Sequence, residues 1–184
     1  MAKYIAFLRA INVGRGRTIK MKVLRQIFES LGFSNIATFI ASGNVLFEAR
    51  TKNAQVLEKK IEKRLREELG YEVRVFIRTN TQVTKISNYK PFPQSKIKAA
   101  SELNIIFLSD RPGEKSRKKV MELDTNTNKF IIHGREIYWL RRKAPGKSTF
   151  STIPIDKAVD RHFTIRSAKT IQKMAVKIAG TKHD

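Results

Sequence analysis

The same order of predicted elements occurs twice along this chain: strand, helix, strand, strand, helix, strand. The first copy covers about residues 3–79 and the second about residues 103–166. Strands are assigned from short apolar runs, and helices from apolar residues three or four positions apart. Because connections between parallel strands are right-handed, this order predicts a four-stranded antiparallel sheet in each copy, with two helices on one face.

The repeat therefore predicts an α+β protein made of two tandem ferredoxin-like (βαββαβ) plaits, followed by a C-terminal helix. We expect a first plait over 1–80, a connecting helix and Pro-containing linker over 81–102, and a second plait with the terminal helix over 103–184. The sequence does not say how the two plaits pack, and it leaves the oligomeric state open.

Shorter signals place individual elements. The fold requires two hairpins, which are predicted from strands at 36–41 and 45–49 and from strands at 129–133 and 136–141. Thr18 is a suitable N-cap for the first helix. The second helix, at 54–69, mixes Glu with Lys and Arg, a pattern typical of a solvated face with i,i+4 ion pairs.

The formal net charge is +22, from 38 Lys and Arg against 16 Asp and Glu. Positive charge at this level favours polyanionic partners such as nucleic acid, an anionic membrane or phosphorylated ligands. The charge is uneven, since residues 73–101, 137–155 and 161–183 contain no Asp or Glu. Nucleic acid or another polyanion is thus the first expected partner.

Several classes of function are excluded or disfavoured. The chain has no cysteine, which excludes disulfides and thiolate metal sites. His133, His162 and His183 show no ligand spacing, so we predict neither a metal site nor a cofactor. No apolar stretch approaches the ~18 residues of a membrane span. The N-terminus enters a strand without a signal-peptide layout, so the expectation is a soluble cytoplasmic protein with no membrane partner.

One end of the first predicted sheet has the residues of an anion site. The end of the first strand, the start of the first helix and the turn before the third strand all lie there, because of the topology. Glycines let backbone amides approach a ligand, and arginine forks match phosphate or carboxylate. The candidate residues are Arg9, Asn12, Gly14, Arg15, Arg17, Lys20, Ser42 and Asn44. The alternative is that the Gly and Asn residues only shape turns.

A second candidate follows a predicted strand near residue 141. Gly146-Lys147-Ser148-Thr149 is similar to the end of a phosphate-binding P-loop. The full motif also needs a glycine at position 141, which is Arg here, so nucleotide hydrolysis is not predicted. The residues that would hold phosphate as a secondary anion site are Arg141, Arg142, Lys147 and Ser148. The alternative is a basic loop without a ligand.

Several runs are similar to the signature of an uncharacterised bacterial family, domain of unknown function 1697. They are Tyr4–Gly14, Lys20-Met21 with Leu24, Leu31–Phe33 and Thr38–Val45, and the resemblance covers nearly the whole chain. It implies tandem ferredoxin-like domains and no established activity. The family's usual Arg-Gly-Ile-Asn-Val-Gly-Gly has Ala10 and Arg15 at two glycine positions here.

The family pattern also has Thr-x-Arg-Asn-Trp before the last helix. Thr164 and Arg166 match it, whereas Ser167 and Ala168 stand at the Asn and Trp positions. If that Trp stacks on a ligand in the family, the resemblance implies that this chain has a changed function.

Three hypotheses follow for the function. The first is a basic protein that binds nucleic acid or another polyanion mainly through charge. The second is an enzyme or ligand-binding domain for a small phosphorylated or carboxylate ligand at the Asn12/Asn44 end. The third is an interaction or structural protein without a ligand. Neither a reaction nor catalytic residues can be assigned from the sequence.

Overall fold

The structure is a computed structural model, and it describes residues 1–9, 11, 18–40, 43–142 and 152–180. The chain divides into two compact units. The first consists of residues 1–85 with the end of the last helix from Lys177, and the second consists of residues 86–176. Within the described ranges, none of the helices has the length and apolar character needed to cross a membrane.

The first unit contains one antiparallel sheet of four strands in the order β2-β3-β1-β4. Its elements are β1 (Ala2–Leu8), α1 (Met21–Ser30), β2 (Ser34–Thr38), β3 (Asn44–Ala49), α2 (Ala54–Leu69), β4 (Val75–Thr79) and α3 (Asn80–Asn88), the last of which continues into the second unit.

The second unit repeats this arrangement in a second antiparallel sheet, in the order β6-β7-β5-β8. Its elements are α4 (Gln94–Ala99), β5 (Glu102–Leu108), α5 (Glu114–Met121), β6 (Asn128–His133), β7 (Glu136–Arg141), α6 (Ile153–Val159), β8 (Phe163–Ser167) and α7 (Ala168–Gly180). The two sheets confirm the predicted α+β class, and the pairs β2–β3 and β6–β7 form both predicted hairpins.

The core of the first unit lies between its sheet and the apolar faces of α1 and α2. Leu57, Ile61 and Leu65 recur every four residues, so they share one side of α2 and are fully buried. The ring of Phe47 in β3 is 5.4 Å from that of Phe28 in α1, centroid to centroid. This packing attaches both helices to one face of the sheet.

The second unit has an equivalent core, which contains the chain's single tryptophan, Trp139. Its indole stacks on Phe130, with ring centroids 5.9 Å apart and planes at 14°. Its Nε1–H donates a 2.8 Å hydrogen bond to Oδ1 of buried Asn128. The tryptophan therefore combines a large apolar contact with a satisfied polar group.

The outer edge of β4 is bonded by carboxylates of α2. Glu58 accepts from the backbone N–H of Ile77 at 2.8 Å, and Glu62 accepts from that of Val75 at 2.9 Å. The interpretation of helix 54–69 as an ordinary solvated face is therefore wrong for these two residues, and Glu58 is buried. They point at donors of the edge strand, which i,i+4 spacing alone cannot reveal.

The first prediction tests this edge. Replacing Glu58 with alanine is expected to lower the free energy of unfolding by about 2 kcal/mol, because a buried N–H loses its acceptor. Glu67→Ala is the matched control on the same helix, since Glu67 is exposed and its ion pairs with Lys63 and Arg64 lie on the surface. Urea denaturation should show that Glu67→Ala changes the free energy of unfolding by about 0.5 kcal/mol or less. Equal losses for the two variants would contradict the assigned role of Glu58.

The duplication extends one element beyond the predicted repeat. In the first unit Arg78 pairs with Ile5 of the central strand, and in the second Arg166 pairs with Ile105. Each arginine is buried and donates from Nη1 to the carbonyl of the residue before it. The next residues, Thr79 and Ser167, each accept from a backbone N–H three positions on, at the start of a helix. The connecting helix and the terminal helix are therefore equivalent parts of the two repeats.

Two local expectations differ from the structure. Thr18 does not cap α1, because the helix begins at Met21 and extended Lys20 occupies the cap position. Ile19 is buried in the core, which holds the chain extended before the helix begins. The linker also contains the short helix α4, which was not predicted. Its six residues include a single large apolar side chain, Ile97, so no helical period is visible.

Candidate functional site

The described residues of the second unit form a broad groove. It has a volume of about 820 Å³. Its walls come from the end of α3, from α4, from β5 and β7, from the end of β8 and from the start of α7. This size lies within the ~300–1,000 Å³ typical of small-molecule sites.

The lining of the groove is rich in positive charge. Lys90, Lys98, Arg141 and Lys169 contribute to it, whereas Glu102 is its one acidic residue. Among the described residues, none of the three lysines has an ion-pair partner. Arg141 lies 3.5 Å from Glu102, Nη1 to Oε2, and its guanidinium lies 5.1 Å from the centroid of the Trp139 ring. Arg141 is thus held in place, and the lysines supply adaptable charge.

A second, more open depression adjoins the groove and shares Lys98, Ala100 and Ser101 with it. Lys96 and Arg142 add two further positive charges there, and the described residues that line it include no acid. The two depressions together form a basic surface within the second unit, which we call the basic surface below.

The last strand of the second unit leads directly into the groove. Arg166 is buried and donates from Nη1 to Oγ1 of Thr164 at 2.8 Å. Burial lowers the pKa of Arg166 to about 10, which leaves it charged at neutral pH. Ser167 then caps α7 by accepting from the N–H of Thr170 at 3.2 Å. Thr164 and Arg166 therefore shape the strand end, while Ser167 and Ala168 line the groove.

The first predicted anion site is only partly described. Asn12, Gly14, Arg15, Arg17 and Ser42 lie outside the described residues, as do Lys147 and Ser148 of the secondary candidate. Of the remaining first-site residues, Arg9, Lys20 and Asn44 are described. Arg9 is partly buried and its backbone N–H donates to the carbonyl of Arg74 at 2.9 Å, whereas Lys20 is exposed.

The end of β1 and the turn before β3 do meet at one end of the first sheet. The N–H of Leu8 donates to the carbonyl of Gly43 at 2.8 Å, and Ile11 packs against Gly43. Asn44 is fully buried, and its Nδ2 donates to the carbonyl of Phe39 at 2.9 Å. This bond gives Asn44 a role in closing the turn. Ligand binding at this end stays a prediction.

Two of the secondary candidates, Arg141 and Arg142, line the basic surface. Sequence reasoning missed its other members, chiefly Lys90, Lys98 and Lys169. They fall in the acid-free stretches 73–101 and 161–183, so the charge pattern was the available signal. The pattern does not show that these stretches are brought together by the fold.

The fold and the basic surface define an α+β protein with two four-stranded antiparallel sheets and a cationic groove in its second unit. The chain belongs to the family described as "Protein of unknown function (DUF1697)", whose model matches residues 1–138. Residues 139–184 lie beyond that match, so the Thr164–Ala168 comparison depends on the family resemblance alone.

A solved structure supports the fold. The structure of a conserved bacterial protein from Streptococcus pneumoniae is similar to this chain with a TM-score of 0.73 and 21% sequence identity. The similarity covers 97% of this chain and 99% of that one. At this identity the likeness shows the fold and carries nothing about function. No curated protein matches the chain.

Proposed function

We propose that this protein binds nucleic acid or another polyanion mainly through charge, and that the basic surface of the second unit is its principal contact. The observation that carries this is the lining itself, in which six basic residues accompany one acid across two adjoining depressions. Lysine and arginine on such a surface replace condensed counterions along a phosphate backbone, which gives affinity without sequence readout. The net charge of +22 adds a general attraction for such partners.

This proposal predicts a strong dependence of affinity on salt. Binding of a labelled single-stranded oligonucleotide, followed by fluorescence anisotropy, should weaken linearly in log K against log salt, with a slope of about −0.7 per phosphate contact. The triple variant Lys96→Ala/Lys98→Ala/Arg142→Ala should make that slope shallower by about 2. Salt-insensitive binding, or no binding at low salt, would overturn the proposal.

A matched control separates the surface from the total charge. Lys59, Lys63 and Arg66 line a pocket in the first unit that also contains Glu62 and Glu72. Replacing these three by alanine removes the same formal charge from a region of mixed sign. The control variant should keep most of the wild-type slope. An equal loss in both triple variants would mean that net charge alone, and not the basic surface, governs binding.

We also propose that each unit is a ferredoxin-like plait, with α3 and α7 as an added helix after each last strand. The strand orders and the helix pair on one face of the first sheet support this. A cytoplasmic location stays part of the same proposal.

A second candidate function is the binding of a small anion at the Asn12/Asn44 end of the first sheet. The contact of Ile11 with Gly43 favours it, because it brings the chain after β1 close to the residue before β3. Arg17→Ala should then weaken binding of a phosphorylated ligand and leave the melting temperature unchanged, since a side chain that contacts only the ligand contributes little to stability.

A further inference from the structure

The groove has two kinds of lining, cationic and apolar, and binding through charge explains only the first. Its cations are accompanied by an apolar set from three elements, namely Ile97 of α4, Leu103 and Ile105 of β5, and Ala168 of α7. A simple polyphosphate would gain nothing from these side chains, whereas a ligand with a flat apolar part and an anionic part matches both.

Aromatic side chains add to the apolar part. Tyr89 and Tyr138 both line the groove, with ring centroids 5.0 Å apart. Tyr89 also stacks on His133, with centroids 4.2 Å apart and planes at 18°. These contacts fix the Tyr89 ring before any ligand arrives. Aromatic rings in a cationic channel are the usual means of holding nucleobases, each worth about 1–3 kcal/mol by alanine substitution.

The groove also has amides that suit a base edge. Asn88, Gln94 and Gln172 line it, and none of these three side-chain amides is hydrogen-bonded to another described residue. An amide presents both donors and an acceptor, which are the groups that hydrogen-bond to base edges. Ser101 and Ser167 are already engaged, with the carbonyl of Arg141 and the start of α7 respectively.

We propose that this groove binds nucleotide units, with the base against Tyr89 and the apolar floor and the phosphate beside Lys98 and Arg141. The inference rests on the proposed polyanion binding and names the ligand class for one part of that surface. A nucleotide unit has two possible sources, a free mononucleotide or a segment of single-stranded nucleic acid, and the chemistry recognised is the same.

The test compares two labelled strands with the same number of phosphates, an oligothymidylate and its fully abasic equivalent. Wild-type protein should bind the oligothymidylate about tenfold more tightly, the scale of one stacked base. Ala168→Trp would fill the groove, and it should lower the affinity for the oligothymidylate more than that for the abasic strand, which reduces the preference. Ala99→Trp is the matched control, because Ala99 lines the adjoining depression and not the groove; it should keep the preference.

Ala168 is buried, so replacing it with tryptophan also tests whether the core tolerates a larger side chain. A second variant therefore tests the groove at a position that is not buried. Tyr89→Leu keeps an apolar side chain at a partly exposed position but removes the ring, and it should reduce the preference with an unchanged circular dichroism spectrum. Competition with AMP and UMP identifies the source. Displacement of the oligothymidylate indicates a mononucleotide site, and failure to displace it, with the preference intact, indicates a strand site.

The two proposals fail in different ways. Equal wild-type affinity for both strands, together with no displacement by mononucleotides, would overturn the nucleotide site and leave charge-driven binding standing. Absence of binding to both strands at low salt would overturn the polyanion function and this inference together. A preference that survives both Ala168→Trp and Tyr89→Leu would place base recognition outside the groove and overturn the inference alone.

Discussion

Gly43→Ala is expected to lower the free energy of unfolding by about 3 kcal/mol. Gly43 has a φ of +75°, and a Cβ there would lie 2.6 Å from Cγ1 of Ile11 and 3.1 Å from Cβ of Leu8. The left-handed backbone costs an L-residue about 1–2 kcal/mol, and the overlap with a packed side chain adds about 1–3 kcal/mol. Urea denaturation followed by circular dichroism measures the sum.

Gly70 separates the two contributions. It has a φ of +74° at the end of α2, and a Cβ there would meet no atom within 4 Å. Gly70→Ala should therefore cost only the backbone part, about 1 kcal/mol. In a double-mutant cycle, Ile11→Ala should relieve part of the Gly43→Ala loss, because it removes the clashing atoms. Losses of equal size at Gly43 and Gly70 would show that Ile11 does not pack against the turn as described.

Trp139→Ala is expected to destabilise the second unit by about 4 kcal/mol, within the range for removal of a buried tryptophan. The variant loses the stack on Phe130 and leaves buried Asn128 without the donor for its Oδ1. Because Arg141 lies over the Trp139 ring, the variant should also weaken oligonucleotide binding. Thermal unfolding by circular dichroism and the anisotropy titration measure the two effects.

Trp139→Phe separates the contribution of the aromatic ring to stability from that of the indole N–H hydrogen bond. Phenylalanine keeps an aromatic ring beneath Arg141 but removes the indole N–H, so the free energy of unfolding should fall by about 1–2 kcal/mol. Binding should stay close to that of the wild type. A phenylalanine variant as unstable as the alanine variant would assign the stability to the Asn128 hydrogen bond, and would contradict the importance of the ring stack.

The fold was predictable because its signals are local and occur twice. The hairpin at 128–141 and the four-residue spacing in α2 are visible in short windows of sequence. The start of α1 was misplaced because the burial of Ile19, a tertiary effect, competes with the capping tendency of Thr18. Glu58 was misread for the same reason, since its partner is a backbone N–H on a strand 19 residues away.

The groove was beyond sequence reasoning for a geometric reason. Lys98, Arg141 and Lys169 come from three separate elements, and only the folded second unit brings them around one cavity. Arg141 was predicted as an anion ligand on the strength of its neighbours in sequence, and it does line the groove. The lysines lie in acid-free stretches that were recognised in the sequence, but the sequence did not show which other elements those stretches would meet in the fold.

The bonded edge of the first sheet has a consequence for how the protein behaves at high concentration. A strand edge with unused N–H groups recruits other strands, which leads to aggregation. On β4 the carboxylates of Glu58 and Glu62 occupy two of these groups. On β2, at the opposite edge, the pairing register shifts between Ser34 and Ala37, and Asn35 is left-handed with a φ of +50°. Both edges of the first sheet therefore carry features that oppose the addition of a further strand.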